Sequence, residues 1–232
     1  MKNAADSPDQ KMIPVRIAGT GSYLPERVMT NQELEDLVDT SDEWITSRTG
    51  IRERRIAAEG EHTSHLAAKA GEKALEQAGL DGADVHLIIV ATITPDTLTP
   101  ATACYVQQHL GSQRAVAFDV SAACSGFLYA LEIARAGVGS GAFRNALIIG
   151  AEKLSAFVDW NDRNTCVLFG DGAGAAVIVP SENGDGKVLS CALGTDGAQA
   201  ELLNIPGGGS ACPLSLDGPN EKMAHLAMQG RE

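Results

Sequence analysis

No apolar run in the 232-residue chain is long enough to span a bilayer. The opening stretch MKNAADSPDQKM is polar and lacks the apolar centre of a signal peptide, so residues 1–12 read as a disordered tail on a cytoplasmic protein. Positive charge is scarce: 18 Lys and Arg face 30 Asp and Glu, a net charge of −12. Binding to nucleic acid or anionic lipid rests on cations that neutralise phosphate, so neither is expected as a partner. Cysteines are few and scattered. Cys104, Cys124, Cys166, Cys191 and Cys212 are odd in number and form no CxxC pair or Cys/His cluster, which argues against a zinc site and against a secreted disulfide framework. The histidines offer no metal site: His62 and His65 flank a helix start, His86 lies in an apolar run, and His109 and His225 are isolated.

A composition 44% hydrophobic and 21% charged suits an α/β protein, and the length allows one large domain or two modest ones. Apolar, β-rich runs recur at VRIAGTGSYL (15–24), VHLIIVATI (85–93), AVAFDV (115–120), NALIIGAE (145–152), AAVIVP (175–180) and VLSCALG (188–194). Helical patterns lie between most of them. Thr30 to Glu33 makes a capping box ahead of LEDLV, and Thr40 to Glu43 reads as a second ahead of Trp44 and Ile45. SHLAAKAGEKALEQAG spaces Leu66, Ala70, Ala74 and Ala78 on one helical face and stops at Gly79; Pro100 opens a helix that Gly111 closes. Strands alternating with helices predict a mostly parallel sheet covered on both faces, so the fold class is α/β. Residues 13–194 read as one such domain. From 195 to 232 the chain is Gly- and Pro-rich, a connecting segment that ends in what reads as the opening of a helix from Lys222.

Three local patterns can carry chemistry. RTGIRERR puts Arg48, Arg52, Arg54 and Arg55 close together, either a solvated charged turn or a grip on a phosphate-bearing ligand. Gly170-Asp171-Gly172-Ala173-Gly174 lacks the Walker lysine and leads into a strand, so it reads as a tight turn whose glycines allow close backbone approach beside a reactive thiol, with positive φ at one or more. FDVSAACSGF places Cys124 at the carboxyl end of a strand and at the first turn of the next helix, where ligands of open α/β sheets gather. A helix N-terminus stabilises a thiolate, and the small neighbours Ser121, Ala122, Ala123, Ser125 and Gly126 leave room for a substrate carbonyl and an oxyanion hole of backbone N–H groups. A small residue at a crowded junction explains the same pattern, and spacing alone does not choose between them. Cys104, in mid-helix, and Cys166 and Cys191, in apolar runs, read as core residues.

Together SDEWITSRTGIRERR, DVSAACSGF, DRNTCVLFGDGAGAAV and ELLNIPGGG make the chain resemble the β-ketoacyl-acyl carrier protein synthase III family of the thiolase superfamily, over nearly all of residues 13 to 232. The resemblance implies a thiolase-like fold, chiefly its amino-terminal half, with a mixed five-stranded sheet between helices. It implies an acyltransferase that initiates fatty acid synthesis: Cys124 takes an acyl group from acyl-CoA, and decarboxylation of malonyl-acyl carrier protein gives the carbanion that attacks the thioester. Acyl-CoA is then a substrate, and no cofactor is bound permanently. Trp44, Arg48 and Arg163 would bracket the CoA adenine, with Thr40 beside the nucleotide. Indole and guanidinium planes suit a purine, and arginine also donates to phosphate.

The family's HQAN-like histidine and HGN-like asparagine, which polarise the malonyl carbonyl, occur nowhere in these 232 residues. The segments carrying them are expected in a second half that the sequence does not contain. The resemblance also implies a homodimer in which Thr99 reaches the partner's acyl pocket, where a threonine leaves room for a longer or branched starter. Two alternatives stay open: an acyltransferase of secondary metabolism with the same fold, and a non-catalytic acyl-CoA-binding half or scaffold subunit.

Overall fold

The computed structural model describes residues 12–182, 186–213 and 224–229. Apart from Met12, the expected tail lies outside them, and so does Lys222. The chain forms two compact units. The first holds the residues up to Tyr23, Thr63–Ala151 and Ala173–Leu193; the second holds Leu24–His62, Glu152–Gly172 and the residues from Gly194 onward.

In the first unit β1 (Val15–Tyr23), β4 (Leu87–Ala91), β5 (Val116–Val120), β6 (Ala146–Lys153) and β7 (Asp171–Pro180) form one sheet in the order β1-β7-β6-β4-β5. β4 runs parallel to both β5 and β6, with Leu87 opposite Val116 and Ile88 opposite Leu147, whereas β1 runs antiparallel to β7, Val15 opposite Pro180. The sheet is therefore mixed. Side chains alternate along a strand. Leu87, Ile89, Ala146 and Ile148 pack with Ala130, Ala134 and Val138 of α5 (Gly126–Gly139), while Leu147 and Ile149 turn the other way, toward Gly71 of α3 (Thr63–Ala78). Both faces of β4 are covered, which is why LIIVA reads as an unbroken apolar run.

Side chains from neighbouring segments cap the helices around this sheet. The N-cap residue of α4 (Thr102–His109) is Ala101, which has no hydrogen-bonding side chain. Asp119 of β5 supplies the cap, accepting from the N–H groups of Thr102 at 2.6 Å and Ala103 at 2.8 Å. Burial pushes the Asp119 carboxyl up, against the pull of those N–H groups and with a smaller push from Asp96. Asp96 does the same for α3, taking the N–H and hydroxyl of Ser64 at 2.9 and 2.6 Å.

In the second unit β2 (Arg27–Thr30) pairs antiparallel with β3 (Glu53–Ile56). The Thr30 capping box forms as expected and starts α1 (Asn31–Glu35), with Glu33 Oε2 accepting the Thr30 N–H at 2.8 Å. α2 (Asp42–Thr49) is capped by Ser41, not Thr40: the Trp44 N–H donates to Ser41 Oγ at 3.1 Å and the Asp42 N–H to Glu35 at 2.6 Å. Gly50, at φ 75°, ends the helix in the left-handed conformation that suits glycine. Met29, Leu34, Ile45, Ile56, Val158, Val167 and Cys166 form the core, the last two at the end of the short α6 (Arg163–Cys166). Buried Asp171 accepts from the Ala57 N–H at 2.7 Å and from the N–H and hydroxyl of Ser155 at 2.9 and 2.6 Å.

Four local expectations are corrected. Residues 188–194 form no strand: after the Val188 N–H donates to Val15 O at 2.8 Å, the segment runs on with Leu189 80% exposed. Pro100 precedes the N-cap of α4 and follows a cis peptide bond from Thr99. The described residues 224–229 hold β9 (Ala227–Met228), paired with β8 (Leu203–Asn204), and no helix. The glycine-rich stretch at 170–174 is the entry to β7, not a turn, and none of its glycines has positive φ.

Glycines in β1 have a packing role. A Cβ on Gly21 would meet the carbonyl oxygen of Ala70 and the amide of Ala74 in α3, and one on Gly19 would meet Ala74 and Ala78. The obstacle is helix backbone, which cannot step aside. Gly21→Ala is therefore expected to cost about 1–3 kcal/mol or more by overpacking. Urea denaturation followed by circular dichroism measures it, and a variant as stable as wild type would contradict this packing.

Candidate functional site

The first unit presents a thiol. β5 ends at Val120, a 3-10 turn takes Ala123–Ser125, and α5 begins at Gly126. Cys124 is exposed in that turn. Ala123, immediately before it, sits at φ 45°, a left-handed backbone that costs a residue with a Cβ about 1–2 kcal/mol. The turn joins strand to helix with Ala123, Cys124 and Ser125 all exposed. Gly126 lets the start of α5 close on β4, since a Cβ there would stand 3.0 Å from the Cβ of Ala91. Of the small neighbours, Ser125 donates its N–H to Ala122 O at 3.1 Å and Gly126 donates to Ala123 O. Those two N–H groups are spent on the turn.

The second unit presents a stack of cations on an indole. The guanidinium carbon of Arg48, one turn along α2, lies 4.9 Å from the centroid of Trp44, and that of Arg163, at the start of α6, lies 4.6 Å from it. Arg163 Nη1 donates to the Asp39 carbonyl at 2.6 Å and approaches the Asp39 carboxylate at 3.6 Å. The Asp39 side chain is fully exposed, so the carbonyl is the firmer anchor. A purine lying between indole and guanidinium needs about twice the 3.5–4.0 Å of van der Waals contact. A flat ring entering this stack would therefore have to displace a guanidinium outward. Thr40, next to that anchor, keeps a buried hydroxyl with no hydrogen-bond partner among the described residues.

The arginine-rich stretch is neither a plain solvated turn nor a single phosphate grip. Period-2 alternation in β3 turns Arg54 inward, 5% exposed, while Arg48 and Arg52 face solvent and Arg55 donates to Pro25 O at 3.2 Å. Close approach at Gly170 is real, and its object is β3: a Cβ there would lie 2.9 Å from the Cβ of Arg54. Cys166 is fully buried, as expected of a core residue, and burial pushes its thiol up. Cys104 is half-buried. Cys191 is half-buried too, on an extended segment, its Sγ 4.0 Å from Leu128 O. Thr99 is exposed beside Leu98, itself 81% exposed. Sequence reasoning passed over Asn31 and Asp119. The offset between Ala101 and an acidic residue in the next strand was a usable signal for Asp119; Asn31 gave none beyond its place after a cap. Among the described residues no three His, Cys, Asp or Glu side chains gather where a metal could be held.

Residues 118–197, which contain Cys124, match the family described as 3-oxoacyl-[acyl-carrier-protein (ACP)] synthase III. The chain is 54% identical over 220 residues to the β-ketoacyl-[acyl-carrier-protein] synthase III of Caldanaerobacter subterraneus subsp. tengcongensis, covering 95% of this chain and 66% of that protein. It is 52% identical to the protein of that name from Natranaerobius thermophilus, covering 95% of this chain and 68% of that one. The chain belongs to the β-ketoacyl-[acyl-carrier-protein] synthase III family. Among solved structures, the synthase III of Aquifex aeolicus VF5 superposes with a TM-score of 0.82 at 49% identity, over 94% of this chain and 65% of that one. The priming β-ketosynthase of the R1128 polyketide pathway superposes with 0.85 at 36% identity, over 98% and 66%. The chain thus spans about two thirds of the length of the curated synthase III relatives it matches.

Exposure orders the thiols. Iodoacetamide is expected to modify Cys124 first, half-buried Cys104, Cys191 and Cys212 more slowly, and Cys166 last, since a thiol pushed up by burial holds less thiolate at neutral pH. Peptide mass mapping of a time course reads the order. Faster modification at any other cysteine would remove Cys124 as the candidate nucleophile.

Proposed function

We propose that Cys124 is the acyl-accepting nucleophile of a condensing enzyme that initiates fatty acid synthesis. The observation that carries this reading is the exposed thiol on a turn strained at Ala123, at the carboxyl end of β5. The Cys124 thiolate attacks the thioester carbonyl of acyl-CoA, the Cys124 N–H takes up charge on the oxygen, and the tetrahedral adduct collapses with CoA as the leaving thiolate. The acyl group then rests on sulfur. In the second half-reaction malonyl-acyl carrier protein loses carbon dioxide, its carbanion adds to the Cys124 thioester, and the thiolate leaves as β-ketoacyl-acyl carrier protein departs. Polarising the malonyl carbonyl for that step falls to the HQAN-like and HGN-like residues, which these 232 residues do not include. Trp44, Arg48, Arg163 and Thr40 bind the adenine nucleotide of CoA, the first three by stacking and charge, Thr40 through its unpartnered hydroxyl.

A second reading, priming of a polyketide chain, draws on the 36% identity to the R1128 ketosynthase. Identities of 54% and 52% to β-ketoacyl-[acyl-carrier-protein] synthase III proteins favour the first. A non-catalytic acyl-CoA-binding role is separated from both by the chemistry of the thiol. Intact-mass measurement after incubation with acyl-CoA should show one acyl adduct on wild type and none on Cys124→Ser, with little β-ketoacyl product from added malonyl-acyl carrier protein. An adduct on another cysteine, or none on wild type, would sink the assignment.

The working form we propose is a homodimer in which Thr99 enters the partner's acyl pocket, a reading supported by the exposed Leu98–Thr99–Pro100 tip ahead of α4. Light scattering at micromolar concentration should give twice the chain mass of 24.2 kDa. A clean monomer would withdraw Thr99 from any role in acyl length.

A further inference from the structure

Asn31 and Arg54 belong to the second unit and have no part in the binding roles assigned above. Asn31 is fully buried. Its Nδ2 donates to Asp42 Oδ1 at 2.8 Å, in the first turn of α2, and to the Ile51 carbonyl at 2.8 Å, just past the end of that helix. One amide therefore holds both ends of the helix that carries Trp44 and Arg48. Its Oδ1 accepts from Arg54 Nη2 at 2.8 Å. The same Nη2 reaches the carbonyl of Val167, the C-cap residue of α6, at 3.3 Å, and Nη1 reaches the carbonyl of Met29 in β2 at 3.3 Å. A continuous chain of side-chain bonds thus runs from α2 through Asn31 and Arg54 to α6, the helix that begins at Arg163.

The chemistry of Arg54 is costly for a purely structural role. All of its hydrogen-bond acceptors are neutral, its Nε has no partner among the described residues, and burial lowers its pKa. An apolar side chain of similar volume fills space without that desolvation cost. Lysine supplies the charge without the geometry. What the planar guanidinium alone supplies is several directed bonds at fixed angles to separate backbone segments. Those segments are the ones whose spacing decides whether an indole on α2 and a guanidinium on α6 can face each other, as Trp44 and Arg163 do at 4.6 Å.

We propose that Asn31 and Arg54 are the positioning residues of the nucleotide clamp, setting the separation of Trp44 from Arg163 by tying α2 to α6. The proposal rests on the reading of Trp44 and Arg163 as the adenine site, and its test keeps the two apart.

The chain has two tryptophans, so a Trp160→Phe background leaves Trp44 as the sole indole reporter. In that background Arg54→Lys keeps the charge and loses the fork. Asn31→Asp keeps the acceptor for Arg54 and replaces the donor to Asp42 and Ile51 with a repelling oxygen. The probe is adenosine 3′,5′-bisphosphate, followed by titration calorimetry, alongside Trp44 emission, acrylamide quenching and melting temperature. At temperatures where each variant is folded, the probe should bind about tenfold more weakly, the scale on which one stacking or hydrogen-bond contact acts. Trp44 emission and quenching should move with it, while iodoacetamide modification of Cys124 stays at the parent rate.

Folded variants that bind the probe and quench as the parent does, whatever their melting temperature, overturn the proposal and leave Asn31 and Arg54 a structural role alone. If one variant fails to fold, the other decides, and failure of both would itself assign the pair to folding and overturn positioning. A parent that does not bind the probe, but whose Trp44 signature still shifts in the variants, leaves the positioning standing and removes the nucleotide reading.

Discussion

Backbones that approach too closely for a methyl group govern both units. In the first, α3 lies on β1 so tightly that Gly19 and Gly21 have helix backbone where a Cβ would be, and α5 closes on β4 through Gly126. In the second, Gly170 lies against β3 at Arg54 and Arg55. Each approach fixes something chemical. Gly126 sets where α5 begins, and the turn before it must then lift Cys124 to the surface through the strained Ala123. Gly170 admits the strand that carries a buried guanidinium. Interiors packed at crystal density transmit such constraints because no slack remains to absorb an added methyl.

Buried and half-buried polar groups do the second part of the work, and they share a pattern. Asp96 and Asp119 close the N-termini of α3 and α4, where the N-cap residue of α4 is an alanine. Asp171 gathers the N–H groups of Ala57 and Ser155, and Asn31 with Arg54 links α2 to α6. Each joins segments distant in sequence and satisfies backbone groups that no regular ladder reaches. The raised carboxyl of Asp119 and the lowered guanidinium of Arg54 share a cause: water is removed from a charge faster than neutral dipoles replace it.

What could be read from the sequence followed from periodicity and local chemistry. The capping box at Thr30, the stop at Gly79 and the five main strands are short-range signals, and they appear where the pattern puts them. Cys124 was legible as a thiol between a strand and a helix, while the positive φ of Ala123 was not, because alanine carries no signature of left-handed backbone. The cap of α2 fell one residue later, on Ser41, since Thr40 and Ser41 are equivalent to a pattern and only the helix axis separates them. The glycines at 170–174 misled because a run of glycine suits a turn and a close-packed strand alike. The arginines at 48–55 divide: alternation along β3 buries Arg54 and leaves Arg55 half-buried. Apolar character at 188–194 promised a strand, but beyond the Val188 N–H bonded to Val15 O the segment runs on without strand pairing, and a strand needs a ladder to pair with as well as the composition for one.

The two halves of the proposed chemistry place different demands on structure. Acyl transfer to Cys124 needs an accessible sulfur and a donor for the oxyanion, both supplied within a few residues of one turn, so strain at a single alanine suffices to build it. Holding a nucleotide needs surfaces from two separate helices at a spacing finer than side-chain flexibility, and exposed cation–π contacts contribute only about 0.5–1 kcal/mol each. Contacts so weak bind only when little entropy is lost in aligning them. On the proposed reading, a buried arginine and a buried asparagine in the frame beneath Trp44 and Arg163 limit that entropy loss, while Arg163 is held from the other side by its bond to the Asp39 carbonyl.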